Sequence, residues 1–170
     1  MIVIGCDHIG IQVQDVDRSA SFYQRQLGFE LVNRWSMTEP YVQRVVGYYP
    51  DVTLEIALLT IPGSDVFLEI LEYRGVDKTA VDPATANPGT GHFCLFVDDL
   101  DGLYARLKSA GVEFVSELQT PSVGPNRGGR LVYMKDPDGI RVELVQTTLR
   151  SDGTALHAQS LRPPPMSESR

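Results

Sequence analysis

Asp7-His8-Ile9-Gly10, running on to Val16-Asp17, and Gly91-His92-Phe93-Cys94, running on to Leu100-Asp101, are two copies of one stretch, and their pairing decides the fold. Setting His8 on His92 brings Asp15 onto Asp99, Val16 onto Leu100 and Asp17 onto Asp101, each at an offset of 84. Further on the offset becomes 83 and pairs Gly28 with Gly111, Glu30 with Glu113 and Val32 with Val115. Two copies at so long a period describe a duplicated module rather than a solenoid. Each copy carries one histidine on its opening strand and, later, one glutamate among apolar neighbours: Glu69 in Phe67-Leu68-Glu69-Ile70-Leu71 and Glu143 in Arg141-Val142-Glu143-Leu144-Val145. A carboxylate in such a strand is costly to bury unless something compensates its charge. His8, Glu69, His92 and Glu143 therefore read as the ligands of a metal.

Within each copy the hydrophobic period changes as a βαβββ unit requires. Ile9, Ile11 and Val13 alternate with His8, Gly10 and Gln12, the period of a two-faced strand. Asp15 to Asp17 offers helix-capping chemistry, Ala20, Phe22, Tyr23 and Leu27 follow at helical spacing, and Gly28 ends the helix. Phe29–Trp35, Thr53–Thr60 and Val66–Tyr73 are the next strands, with Pro62-Gly63-Ser64-Asp65 as a turn. Residues 38–50 hold most of the first copy's extra length and form either a short helix or an additional strand. In the second copy the spacing predicts a strand around Cys94 and Phe96, a helix over Leu100–Ala110, and strands at Val112–Leu118, Arg130–Lys135 and Ile140–Gln146. The expected organisation is a first module over 1–74, a linker over 75–90, a second module over 91–148 and a loosely packed tail over 149–170.

With 170 residues, 42% of them hydrophobic, the chain suffices for one sizeable core or two small modules. A formal charge of -7 argues against nucleic acid or an anionic membrane as partner, since phosphate binding needs a basic face. No run approaches the roughly 20 apolar residues of a membrane span, and Met1-Ile2-Val3-Ile4-Gly5 lacks the pattern of a secretory signal. Two cysteines, Cys6 and Cys94, give no disulfide framework and fit a reducing cytoplasm, where they are expected to be small buried hydrophobes.

Imidazole nitrogens and carboxylate oxygens suit a borderline divalent ion such as Ni, Zn, Co, Mn or Fe. Such an ion, accepting two neighbouring substrate oxygens, lowers the barrier to removing a proton beside a carbonyl. Glu69 and Glu143 are the candidate bases.

Both halves resemble the paired βαβββ modules of the vicinal oxygen chelate superfamily, which includes glyoxalase I, methylmalonyl-CoA epimerase, extradiol dioxygenases and the bleomycin and fosfomycin resistance proteins. The resemblance covers residues 5–147. It is carried by His8, Val16-Asp17-Arg18-Ser19, Phe22-Tyr23, Leu27-Gly28-Phe29, and Asp136-Pro137-Asp138-Gly139 leading to Glu143. It implies an α+β fold in which two tandem βαβββ modules form a curved mixed sheet around a metal-binding cavity, with metal ligands at His8, Glu69, His92 and Glu143. It implies a metal-dependent isomerase or lyase of the glyoxalase I type, with Glu143 the stronger candidate for the base, and a homodimer, as many relatives are.

Departures bear on the substrate. Where bacterial glyoxalase I places an arginine and an asparagine for the glutathione carboxylate, this chain has Gln12 and Tyr73. A less polar pocket follows, for another thiol adduct, a CoA thioester or an aromatic compound, with Gln12 and Tyr73 lining it and Arg127 and Arg130 at its rim for an anionic group. Two alternatives stay open: an Fe(II) extradiol-type dioxygenase using His8, His92 and Glu143, and a metal-free small-molecule binding protein of the drug-resistance type. The carboxylate at Glu69 disfavours the first, and the retention of all four ligands disfavours the second.

Overall fold

The computed structural model describes residues 2–47, 51–84, 86–124 and 126–148. The expected tail over 149–170 lies outside the described residues, as do Tyr48, Tyr49 and Pro50 of the first copy's insert. The fold is α+β with two mixed sheets, of four and three strands. Its contacts part the chain into two compact units, one reaching to Asp82 and including the turn Asp136–Gly139, the other made of Pro83–Lys135 and the chain from Ile140.

In the first unit, β1 (His8–Gln12), α1 (Val16–Leu27), β2 (Glu30–Met37), α2 (Pro40–Val45), β3 (Thr53–Thr60) and β4 (Phe67–Arg74) follow in order. The sheet runs β1-β4-β3-β2, with β1 parallel to β4 and the other pairs antiparallel. Asp15 caps α1 by accepting from the Arg18 N–H, and Gly28 stops it in the left-handed region at φ 73°, a conformation cheap for glycine. Val16, Ser19, Ala20 and Tyr23 form one buried stripe at helical spacing, and α1 lies against β2, β3 and β4. Of the two readings of residues 38–50, the helix is observed, begun by Pro40 at its first turn.

The second unit holds β5 (His92–Phe96), α3 (Leu100–Ser109), β6 (Arg130–Lys135) and β7 (Arg141–Gln146). Its sheet runs β5-β7-β6, with β5 parallel to β7, and α3 packs against β6 and β7 through Leu100 and Leu107. The strand expected at Val112–Leu118 is not continuous. Only isolated bridges at Phe114 and Gln119 reach β6, because the chain bends at 115–117, where Glu117 turns to Tyr104 and Lys108 of α3. Neither cysteine is buried as expected: Cys6 and Cys94 are exposed, since they share the faces of His8 and His92 rather than those of the core.

The duplication extends to the first turn of each helix. Val16 N–H donates to Glu72 Oε2 at 3.1 Å, and Leu100 N–H donates to Gln146 Oε1 at 2.8 Å. Glu72 and Gln146 each lie three residues beyond the glutamate of their copy, so the strand that carries the site also satisfies an orphan donor of the helix. The Arg74 guanidinium holds the buried Glu72 carboxyl below the usual range, against the effect of burial and with help from the Val16 N–H. A depressed carboxylate stabilises the fold above its unfolded-state pKa and loses that contribution as pH falls through its folded value. Glu72→Gln should therefore flatten the decline of Tm between about pH 5 and pH 3. Parallel thermal-melt profiles of variant and wild type would remove Glu72 from the acid response.

Candidate metal centre

Strand parity sorts each sheet into a helix face and a site face. In the first unit Ile11, Val13, Leu68 and Ile70 are buried on the helix side, while His8, Gly10, Gln12, Glu69, Leu71 and Tyr73 alternate onto the other. The register of β1 on β4 sets His8 opposite Phe67 and Gly10 opposite Glu69. In the second unit β5 on β7 sets His92 opposite Arg141 and Cys94 opposite Glu143. Each histidine is thus opposite the residue two before its glutamate, and the two site halves share one register.

That register brings the side chains together in pairs. His8 Nε2 lies 3.3 Å from Glu69 Oε2, and His92 Nε2 lies 3.1 Å from Glu143 Oε2. Both glutamates are largely buried and both histidines are reachable from solvent, with side-chain exposures of 19% and 16% against 42% and 44%. His8 Nδ1 contacts Asp7 Oδ2 at 2.7 Å. A carboxylate only accepts, so Nδ1 carries the proton and neutral His8 turns the lone pair of Nε2 toward Glu69. Two acceptors facing each other at this distance need a cation between them. A proton on the ring is one answer, and the Asp7 hydrogen bond raises the His8 pKa against the effect of burial, with Glu69 adding to the rise.

A metal ion is the other. Nitrogen and oxygen ligands, each about 2.1 Å from an ion and about 90–110° apart, stand about 3.0–3.4 Å from each other, and both pairs have that spacing. Each pair is nevertheless only two donors. Among the described residues no three His, Cys, Asp or Glu side chains gather where they could hold a metal ion, whereas protein sites for these metals use three or four. The donors of each pair fit a metal by type and spacing, and each pair supplies two of them.

The halves differ in their surroundings. Gly91 stands where Asp7 would be in the second copy. There the Tyr133 hydroxyl, opposite Glu143 in the β6–β7 register, lies 3.3 Å from His92 Nε2 and hydrogen-bonds Glu143. Although Cys94 is exposed as a residue, desolvation at its thiol, with Glu143 beside it, pushes the thiol up to about 12, so it stays protonated at neutral pH. Asp7 and Tyr133 were not singled out from the sequence. Asp7 had a signal in its adjacency to His8; Tyr133 needed the cross-strand register.

The other sequence-predicted positions fall as follows. Gln12 is exposed at the end of β1, on the His8 face. Tyr73 is half-buried on the Glu69 face, against a cluster of Val42, Leu54, Ile56 and Leu71 that Trp35, Met37 and Val46 extend. α2 thus fills the end of that face with apolar side chains. Arg127 is exposed in the loop before β6. Arg130 alternates onto the helix face, opposite in parity to Tyr133, where Asp101 and Thr120 bind its guanidinium. It is not brought beside Glu143.

Residues 5–144 match the model of the glyoxalase/bleomycin resistance protein/dioxygenase superfamily. The chain belongs to that superfamily. Its similarity to lactoylglutathione lyase of Pseudomonas aeruginosa is 31% identity over 159 residues, covering 86% of this chain and 84% of that protein. A probable chloroplastic lactoylglutathione lyase of Arabidopsis thaliana is 30% identical over 142 residues, 82% of this chain but only 35% of that longer protein. Among solved structures, a glyoxalase family protein from Bacillus cereus superposes with a TM-score of 0.68 at 24% identity, over 85% of this chain and 94% of the other. No helix among the described residues is long and apolar enough to cross a membrane.

Proposed function

We propose that the protein is a divalent-metal-dependent lyase or isomerase of the glyoxalase type, with His8, Glu69, His92 and Glu143 as ligands of one ion and a glutamate as base. The observation that carries this reading is the pair of imidazole–carboxylate contacts, 3.3 and 3.1 Å, repeated at one register in both units. The names of the relatives add to it. A divalent ion at these donors would stabilise negative charge on two neighbouring substrate oxygens as a carbon-bound proton leaves. The chain's own residues do the rest. Asp7 fixes the tautomer of His8, Glu69 and Glu143 each offer carboxylate oxygens, and Glu143 takes the proton and returns it to the neighbouring carbon. The apolar cluster with Tyr73 favours an apolar or aromatic portion of the substrate on the Glu69 side.

Elemental analysis of protein purified without chelator tests the reading. One Ni, Zn, Co, Mn or Fe per chain is expected, whether the two pairs come from one chain or from two copies in a homodimer. Glu69→Ala should weaken the metal by at least tenfold in chelator competition, and His8→Ala combined with His92→Ala should abolish uptake. Iron held equally well by Glu69→Ala would favour a dioxygenase with three protein ligands. Failure to take up any metal on reconstitution would leave a binding protein.

A further inference from the structure

Arg141 shares the site face of its sheet with two of the four candidate ligands. It lies opposite His92 on the neighbouring strand and two residues before Glu143. Its Nε donates to the Pro83 carbonyl at 3.2 Å, which anchors the guanidinium by one edge. Nη1 is buried and, among the described residues, has no hydrogen-bond partner. Its other cross-strand neighbour, Lys135, is paired with Glu113 at 3.0 Å, whereas no described carboxylate pairs with Arg141. A buried charged donor left unmade is destabilising, and a chain of net charge -7 offers an anionic substrate little attraction except through such a local cation.

We propose that Arg141 is the receptor for a carboxylate carried by the substrate and thereby determines specificity. The proposal rests on the metal-chelating reading above: the substrate would offer two neighbouring oxygens to an ion at those donors and a carboxylate, farther along, to the Arg141 guanidinium, whose Nε is taken by Pro83. Guanidinium donors in a fixed planar array match a carboxylate in a way an ammonium does not. The substrate class narrows accordingly to carbonyl compounds or thiol adducts bearing a free carboxylate. It also supplies a cation on the second unit, where Gln12 of the first unit offers none.

The test compares neutral and charged chelators on the metal-loaded full chain. Acetohydroxamate, which binds metals through two neighbouring oxygens, is set against the monohydroxamates of malonic, succinic and glutaric acids, which add a carboxylate at increasing reach. At least one charged probe should bind wild type about 10- to 100-fold tighter than acetohydroxamate, the usual range for a charged hydrogen bond. In Arg141→Met that preference should vanish while acetohydroxamate affinity and metal content stay unchanged, and Arg141→Lys should restore part of it. Because the substitution relieves the orphaned Nη1 while losing the Nε–Pro83 hydrogen bond, the Tm of Arg141→Met should stay within a few degrees of wild type, about the effect of one hydrogen bond; a purely structural arginine would lower it well beyond that. No preference in wild type, or a preference kept by Arg141→Met, would overturn the proposal. A metal-independent arm separates the two readings: butyrate, but not butyramide at equal ionic strength, should raise the Tm of metal-free wild type and not of Arg141→Met. If hydroxamates fail to bind, the metal reading falls and this arm alone decides, the absence of a butyrate effect overturning the role of Arg141.

Discussion

Glu143→Gln should keep the bound metal and lose turnover by about 10²- to 10⁴-fold, the contribution of a positioned general base. The amide keeps an oxygen 3.1 Å from His92 Nε2, so the donor remains, but it accepts no proton. Glu143 is preferred to Glu69 because the two contacts differ in their surroundings. His8 is oriented by Asp7 through Nδ1, which commits Nε2 to the Glu69 side. His92 is preceded by Gly91, and Glu143 has the Tyr133 hydroxyl beside it as a further donor. Glu69→Gln should therefore cost mainly metal affinity. The measurement is single-turnover exchange of the proton beside the carbonyl in a panel of thiol adducts and acyl-CoA esters, at saturating metal. Activity of Glu143→Gln within a few-fold of wild type would remove Glu143 as the base.

How much of this was legible beforehand follows from what each signal depends on. The strands and helices bearing the histidines and glutamates were readable because period-2 and period-3.6 patterns are local and occur twice, so each copy checked the other. Thr53–Thr60 and Arg130–Lys135 match the observed strands, and Asp15 and Gly28 cap α1 as their chemistry requires. The lost strand at Val112–Leu118 has adequate β propensity, but Glu117 finds Tyr104 and Lys108 on α3, a tertiary preference no local window contains. Pairing His8 with Glu69 also depends on register, which is a property of two strands. Arg130 was read as a rim residue from its place after Gly128-Gly129, whereas its pairing opposite Gln146 and its contacts with Asp101 and Thr120 depend on strand register and on α3. Glu72 and Gln146 were missed although both lie three residues beyond the site glutamates, since their role appears only when the helix N-terminus is beside them.

Asp138→Ala should be strongly destabilising for a substitution outside the apolar core, by about 2–3 kcal/mol, because it strands the buried Ser19 hydroxyl and takes the acceptor from Gln14 N–H and Arg18 at once. The turn Asp136-Pro137-Asp138-Gly139 is built to present that carboxylate. Asp136 Oδ1 accepts from the Asp138 N–H at 2.9 Å, and Gly139, at φ 84°, donates back to the Asp136 carbonyl at 3.0 Å. Asp138, its side chain 10% exposed, then accepts from Gln14 N–H at 3.1 Å, Arg18 Nη2 at 2.7 Å and Ser19 Oγ at 3.2 Å. Beside it, Tyr23, fully buried in α1, donates its hydroxyl to Asp136 Oδ2 at 3.1 Å. Burial, with Asp136 next to it, drives the Tyr23 pKa well up, so the phenol remains a donor across the accessible pH range. For a chain of this length each kcal/mol moves Tm by about 2–4 °C, so a fall on the order of 10 °C is expected, with a matching drop in urea midpoint. Arg18→Ala should cost far less, about 1 kcal/mol or below, since its side chain is 47% exposed and solvent already screens the pair. That ordering separates a carboxylate held for its backbone and buried hydroxyl partners from one held by a surface arginine. An Asp138→Ala effect no larger than that of Arg18→Ala would show that the turn is positioned by Pro137 and Gly139 alone.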